Sequence, residues 1–316
     1  MLIVETDNLR KEYGTLIAVN DVNLTIGPGQ VMGLVGPNGA GKTTFLRMLA
    51  TLLPPTRGAA RILGHDLHRD YLKIRKQIGY LPDFFNLYND LTLRECLEFF
   101  ARSYRVPRRL IREKVNTALT LADLLDKQND FIRHLSRGMV QRMGLAVLLV
   151  RDPDLFLLDE PASGLDPKAR IQLREILKQL SRTGKTIIIS SHILTELEGF
   201  CTHIAFMNRG RIVQSGAVDE IRDSVSDARI VVLSVLSDAA RAQELLRELN
   251  EVRIKDVLDG NIIIELTGGL EEMAALNAYL VKHDVKVASF HERRMDIEDM
   301  FMKIASAEEK TGSRGA

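Results

Sequence analysis

Residues 36 to 44 read GPNGAGKTT. Gly36, Gly39 and Gly41 stand directly before a lysine, Lys42, and two hydroxyls, Thr43 and Thr44. Upstream, Val31-Met32-Gly33-Leu34-Val35 reads as a short buried strand. Downstream, Phe45-Leu46-Arg47-Met48-Leu49 opens a helix. The stretch matches G-x-x-x-x-G-K-[ST] in the strand–loop–helix setting that the motif requires. Successive backbone N–H groups can converge on phosphate oxygens only where the chain bends sharply, and glycine permits that bend. The helix N-terminus adds positive partial charge where the anion sits. Lys42 reaches the β- and γ-phosphates of a nucleoside triphosphate, and the Thr43 hydroxyl reaches Mg²⁺. Gly36, Pro37, Asn38, Gly39, Ala40, Gly41, Lys42, Thr43 and Thr44 together form the expected phosphate cradle.

A metal held by Thr43 needs a carboxylate. Leu155-Phe156-Leu157-Leu158-Asp159-Glu160 supplies one: four apolar residues of a buried strand, then two acids at its carboxyl end. Open α/β sheets bind ligands beyond the carboxyl ends of their strands. Asp159 is therefore expected at the Mg²⁺ shell, and Glu160 at the attacking water as general base.

Around this pair the chain alternates strands and helices over about residues 1 to 220, which predicts an α/β fold. Strands are expected at 2–9, 17–26, 31–35, 155–158 and 186–190, with a helix at 167–180. A mostly helical stretch runs from 93 to 149, broken at Pro107. Strands 204–207 and 211–214 flank the hairpin signal Asn208-Arg209-Gly210. Residues 217–227 read as a short helix and linker. Beyond them the order βαββαβ predicts a small α+β, ferredoxin-like module over 228–306, with Asp259-Gly260 as a hairpin turn and Asp238 near a helix cap. Residues 307–316 are charged and Gly/Ser-rich and are expected to lack structure.

Composition narrows the partners. Of 316 residues, 45% are hydrophobic, enough for a sizeable core. Formal net charge is +1, which offers no electrostatic case for nucleic acid. Cys96 and Cys201 fall outside any metal-ligand spacing and suit a reducing compartment. No apolar run approaches the roughly 18 residues that a membrane helix needs. The opening MLIVETDNLRKEYG lacks the apolar core of a signal peptide. A membrane role must come through a partner.

Leu135-Ser136-Arg137-Gly138-Met139 opens a helix between the two phosphate motifs. With GPNGAGKTT, LFLLDE, Ser163-Gly164-Leu165-Asp166 and Ser190-Ser191-His192 in this order, residues 1 to 220 resemble the ATP-binding subunits of ABC transporters. The resemblance implies a P-loop NTPase of ABC type: a mixed sheet core, an antiparallel β subdomain and a helical subdomain over about 84–150. It implies ATP and Mg²⁺ as cofactors and a head-to-tail homodimer, or a pair with a second ATPase subunit. Ser136 and Gly138 then contact the γ-phosphate held by the other subunit's Lys42. Tyr13 stacks on adenine, Val19 packs against the nucleoside, His192 contacts the γ-phosphate, and Asp166 signals across the dimer. Where the family commonly has LSGGQ, this chain has Arg137 and Met139; where it commonly has glutamine, this chain has Asp83, which can still ligate Mg²⁺ through oxygen. Both departures, the α+β module and the Asp296-Ile297-Glu298-Asp299-Met300-Phe301 segment resemble the type-2 exporter branch. That branch implies a separate integral membrane permease, a cytoplasmic location on the inner membrane face, and a docking surface near Phe84, Phe85 and Tyr88. The alternative is a soluble ABC-type ATPase working mechanically or in regulation; one P-loop, no sustained heptads and no basic tract weigh against it.

Overall fold

The computed structural model describes residues 2–193, 197, 199–225, 228–236, 239–258, 260–293 and 297–312. They form two compact units, Met1–Val218 and Asp219–Ala316.

The first unit opens with long antiparallel strands β1 (Val4–Tyr13) and β2 (Leu16–Ile26), paired from Val4↔Ile26 to Tyr13↔Leu16. Next come β3 (Val31–Val35), α1 (Lys42–Leu49), β4 (Arg57–Ile62), β5 (His65–Asp66), α2 (Tyr71–Gln77) and β6 (Ile78–Leu81). Three helices follow: α3 (Leu93–Ser103), α4 (Arg108–Leu121) and α5 (Arg137–Arg151). The unit continues through β7 (Leu155–Asp159), α6 (Pro167–Arg182), β8 (Thr186–Ser191), β9 (His203–Asn208) and β10 (Arg211–Ala217). α7 (Val218–Val225) begins where the unit ends. One sheet has the order β2-β1-β4-β5. The other has the order β10-β9-β3-β8-β7-β6, with β10 antiparallel to β9 and the remaining neighbours parallel. β3, β7 and β8 are buried throughout, as parallel strands covered on both faces must be. Phe45, Leu46, Met48 and Leu49 of α1 pack into one core with Val4, Leu34, Leu157 and Ile188.

The second unit carries β11 (Ala228–Val235), α8 (Ala239–Arg247), β12 (Val252–Leu258), β13 (Asn261–Thr267), α9 (Leu270–Lys282), β14 (Val287–Arg293) and α10 (Ile297–Gly312). Its sheet order, β12-β13-β11-β14, is antiparallel throughout, the ferredoxin-like arrangement. Asp238, Asp259 and residues 313–316 lie outside the described residues; Gly260 has φ +79, as a tight hairpin turn needs. α10 continues past 307, where an unstructured tail was expected, to Gly312.

β4, β5, α2 and β6 escaped the sequence pattern. β4 reads RGAARI, low in β-branched residues, yet it pairs with β1 because Gly58 (φ +81) leaves room where a Cβ would lie 2.2 Å from the Asn8 carbonyl oxygen. The segment 122–136 interrupts the helical stretch with two 3-10 turns, Leu125–Lys127 and Ile132–His134. Phe85 is only half-buried by exposure, but its ring lies on α5: a Cβ at Gly144 would sit 2.3 Å from Phe85 Cζ and 2.8 Å from Leu81 Cδ1. Phe85 therefore packs inward rather than presenting itself for docking. Gly144→Ala is expected to overpack this contact by ~1–2 kcal/mol and to lower the melting midpoint by ~2–8 °C. Calorimetry checks it; an unchanged midpoint would show that the ring moves aside without cost.

Both cysteines are free thiols. Burial pushes the Cys96 thiol up to about 11 and raises Cys201 as well, so neither is a reactive nucleophile at neutral pH.

Candidate functional site

The parallel strands β3, β6, β7, β8 and β9 end on the same side of the sheet, and the loops beyond them enclose a cavity of about 760 Å³. Its walls include Tyr13, Leu16, Ile17, Ala18, residues 38–44, Asp83, Glu160, Ser163, His192 and Arg209.

The cradle is built by backbone geometry. Gly39 and Gly41 have φ +79 and +105, which only glycine adopts without strain. A Cβ on Gly41 would lie 2.2 Å from the Ala18 carbonyl oxygen, and one on Gly36 would lie 2.1 Å from that of Met207. α1 then starts with no side-chain cap and no acid in its first turn, so its positive end is left for an anion.

Lys42 is 5% exposed. Its Nζ donates to the Gly36 carbonyl at 2.6 Å and the Pro37 carbonyl at 3.3 Å, and lies 3.3 Å from Glu160 Oε1. Gly36 and Pro37 thus hold the lysine rather than line the cavity. Thr43 Oγ1 donates to Asp159 Oδ1 at 3.1 Å, and Ser190 Oγ donates to the same oxygen at 2.8 Å. Tyr80 donates to Asp159 Oδ2 at 3.4 Å. This buried carboxylate, behind Thr43, is tied to three secondary elements and cannot swing away.

Glu160 follows it with φ +48, a strained value for a side chain this large. Its N–H donates to Ser190 Oγ at 2.9 Å, which fixes the turn. The turn aims the carboxylate into the cavity, where Oε2 lies 2.7 Å from His192 Nδ1 and accepts from His192 N–H at 3.3 Å. Glu160 is therefore bracketed by Lys42 on one oxygen and His192 on the other. An acid so held is positioned to orient a water and take its proton.

Asp83 also lines the cavity. Its Oδ1 is buried with no hydrogen-bond partner. Burial first, then the charges of Asp159 and Glu160, raise its pKa above the ordinary 3.8, against the opposing pull of Arg137 and His192. A carboxyl whose folded pKa is raised destabilises the fold once the pH exceeds its unfolded value. Asp83→Asn is expected to raise the nucleotide-free melting midpoint at pH 7, with the gain shrinking as the pH falls toward about 4. Thermal melts across that range test it; a gain independent of pH would mean that charge is not the cause.

Several expected residues stand elsewhere. Val19 is fully buried in the core. Its neighbour Ala18 lines the cavity. Val19, where a nucleoside contact was expected, is not among the residues that line the cavity, whereas Leu16, Ile17 and Ala18 are. Ser136 caps α5 by accepting from Met139 N–H at 3.4 Å. Gly138 lies so close to α6 that a Cβ would be 2.6 Å from that of Ala169. Asp166 caps α6, accepting from Ala169 N–H at 2.9 Å, with Pro167 in the first turn. The Arg137 guanidinium lies against Gly164. Ser136 and Asp166 are exposed and Gly138 is buried, and none of the three is among the residues that line the cavity. Ser163, singled out in the sequence only as part of a motif, and Arg209, legible only as a hairpin residue, also line the cavity.

The ABC transporter family model matches residues 19–163. The chain is 34% identical to Nod factor export ATP-binding protein I of Cupriavidus metallidurans over 97% of its own length and 98% of that protein. It belongs to the ABC transporter ATP-binding proteins. It is 30% identical to a daunorubicin resistance ATP-binding protein of Streptomyces coeruleorubidus, over 95% of each chain. A solved ATP-binding subunit of an ABC transporter superposes with TM-score 0.64 at 31% identity, over 70% of this chain and 92% of that one. A dimeric ATP-binding cassette in a post-hydrolysis state, bound to ADP and Pi, superposes with TM-score 0.62 at 28% identity, over 68% of this chain and 98% of that one. The protein is thus an ABC ATPase with the α/β P-loop fold, and it serves as an ATP-binding subunit of a transporter.

Proposed function

We propose that this ABC ATPase powers export through a separate membrane permease, and that the cavity at Lys42 is where it binds and hydrolyses ATP. The observation that carries the site is the bracketed pair: Glu160 between Lys42 and His192, beside Thr43 bonded to Asp159. Phosphate oxygens compete with Glu160 for Lys42, which frees the carboxylate to face water. His192 holds Glu160 and lies within the same cavity, so it is placed to donate toward the γ-phosphate. Tyr13, 48% exposed at the cavity mouth, offers its ring to adenine.

Mg²⁺ fits the residues present. Thr43 and Asp159 offer adjacent oxygens, and Asp83 has a buried oxygen without a partner. Among the described residues no group of three or more His, Cys, Asp or Glu suits a metal alone. That is the pattern of an ion bound through one or two carboxylates and its substrate's phosphates. When bound, Mg²⁺ neutralises charge on the β- and γ-phosphates.

Export is supported by the names of two relatives aligned along almost the whole chain. Head-to-tail pairing is supported by Ser136 and Asp166, which are exposed, cap helix ends and lie outside their own cavity, where they can complete the partner's. No helix among the described residues is long and apolar enough to cross a membrane. Phe84, 80% exposed and next to Asp83, and Tyr88, 53% exposed and edge-on to Phe99 at 5.1 Å, form the surface offered to the permease on the cytoplasmic face. The 219–316 unit is read as an accessory to this assembly.

The test is co-purification of tagged Glu160→Gln from native membranes with Mg-ATP. A stoichiometric protein with several membrane helices is expected. Recovery of the ATPase alone, in mild detergent and repeated trials, would sink the permease reading while leaving the ATP site standing.

A further inference from the structure

Arg209 is a cation out of place. It occupies the first central position of the two-residue turn between β9 and β10, flanked by the pair Asn208↔Arg211. Its φ is +46 and that of Gly210 is +81, so both central residues are left-handed, as a type I′ turn requires. Such a turn favours asparagine, aspartate or glycine at that position, and a long side chain there is strained. Nothing in the hairpin explains the arginine. Among the described residues it is exposed and makes no ion pair or side-chain hydrogen bond.

It does line the cavity that holds Lys42. The turn is fastened there by backbone: Gly210 N–H donates to the Ala40 carbonyl at 2.9 Å, and Asn20 N–H donates to the Gly210 carbonyl at 2.8 Å. Arg209 is thus locked between the phosphate loop and β2. Lys42 already faces Glu160, so Arg209 is the unpaired cation among the described lining residues.

Strand order says which part of a nucleotide it meets. β9 lies on one side of β3, whereas β8, β7 and β6 lie on the other. The residues proposed for the γ-phosphate and its water, His192, Glu160 and Asp83, follow β8, β7 and β6. Arg209 follows β9, on the side where Ala18 and Ala40 form the wall.

We infer that Arg209 is a nucleotide-binding residue, its guanidinium contacting the ribose and α,β-phosphate portion that ATP and ADP share. It sets affinity and leaves the chemical step alone. The inference rests on the proposed ATP site and assigns a residue that the family's motifs do not include.

The experiment compares wild type with Arg209→Asn and Arg209→Gly, two neutral residues that suit the turn, and with Arg209→Lys, which keeps the charge. Mg-ADP binding is measured by calorimetry on the full chain, and ATPase kinetics give KM and kcat. Both neutral variants are expected to weaken Mg-ADP and raise the ATP KM together by about tenfold, with kcat within about twofold and the melting midpoint unchanged or higher. Arg209→Lys is expected to recover part of the affinity. Neutral variants that bind Mg-ADP like wild type would overturn the inference while the ATP site stands. A loss for ATP tenfold greater than that for ADP would also overturn it, by placing the guanidinium on the γ-phosphate. Wild type that binds neither nucleotide would remove the ATP site and the inference together.

Discussion

Glu160→Gln is expected to reduce ATP turnover by at least ~100-fold while ATP stays bound, the scale on which a positioned general base acts. The amide keeps the shape of the carboxylate and can still meet Ser190 through its backbone N–H, so the turn at φ +48 survives. What is lost is the ability to accept a proton and the charge that engages Lys42 at 3.3 Å and His192 at 2.7 Å. Losing that charge frees Lys42 for phosphate, so affinity for ATP is expected to hold or rise. Without turnover the ATP-bound pair of subunits should accumulate as a stable dimer on size exclusion. A variant that turned over ATP at the wild-type rate would take the catalytic role from Glu160.

Lys42→Ala is the second large effect, and it acts on binding. Lys42 is 5% exposed and is the cation at the bottom of the cradle. Removing one partner of a buried charged contact costs ~2–5 kcal/mol, which corresponds to a loss of ATP affinity of at least ~30-fold. Two further consequences follow from its present contacts. The Gly36 and Pro37 carbonyls lose their donor, and Glu160 Oε1 loses its counter-charge. Arginine in its place would not restore binding, because a planar fork cannot reproduce the point charge that this narrow turn accepts. Calorimetric titration with Mg-ATP reads the effect; unchanged affinity would contradict the phosphate assignment.

Much of this site was legible because its chemistry is local. A loop of glycines before Lys42, and two acids at the end of an apolar strand, each need only contiguous residues to be seen. The residues that sequence reasoning misplaced or missed depend on contacts across the chain. Val19 and Ala18 are neighbours, and only the pairing of β2 with β1 decides which of them faces the cavity. Phe85 reads as an exposed aromatic until the missing side chain of Gly144, 59 residues on, is seen to receive it. Arg209 enters the site because its neighbour Gly210 is bonded through its backbone to Ala40 and Asn20, which no local pattern encodes. β4 was invisible because its alanines, glycine and arginines favour no strand, and its place comes from β1.

The order of the larger sheet has a consequence for how the chain is made. β3 ends at Val35, yet both of its neighbours, β8 and β9, begin at Thr186 and His203. At ~5–20 residues per second, a ribosome needs roughly 8–30 s to supply the first of them. During that interval an apolar strand and its glycine loop have emerged with nothing to pair against. The Met207 carbonyl that closes on Gly36 arrives later still. A nascent chain stopped before β9 should therefore be unable to retain ATP, and the cradle, though encoded near the start, is among the last parts of the unit to take shape.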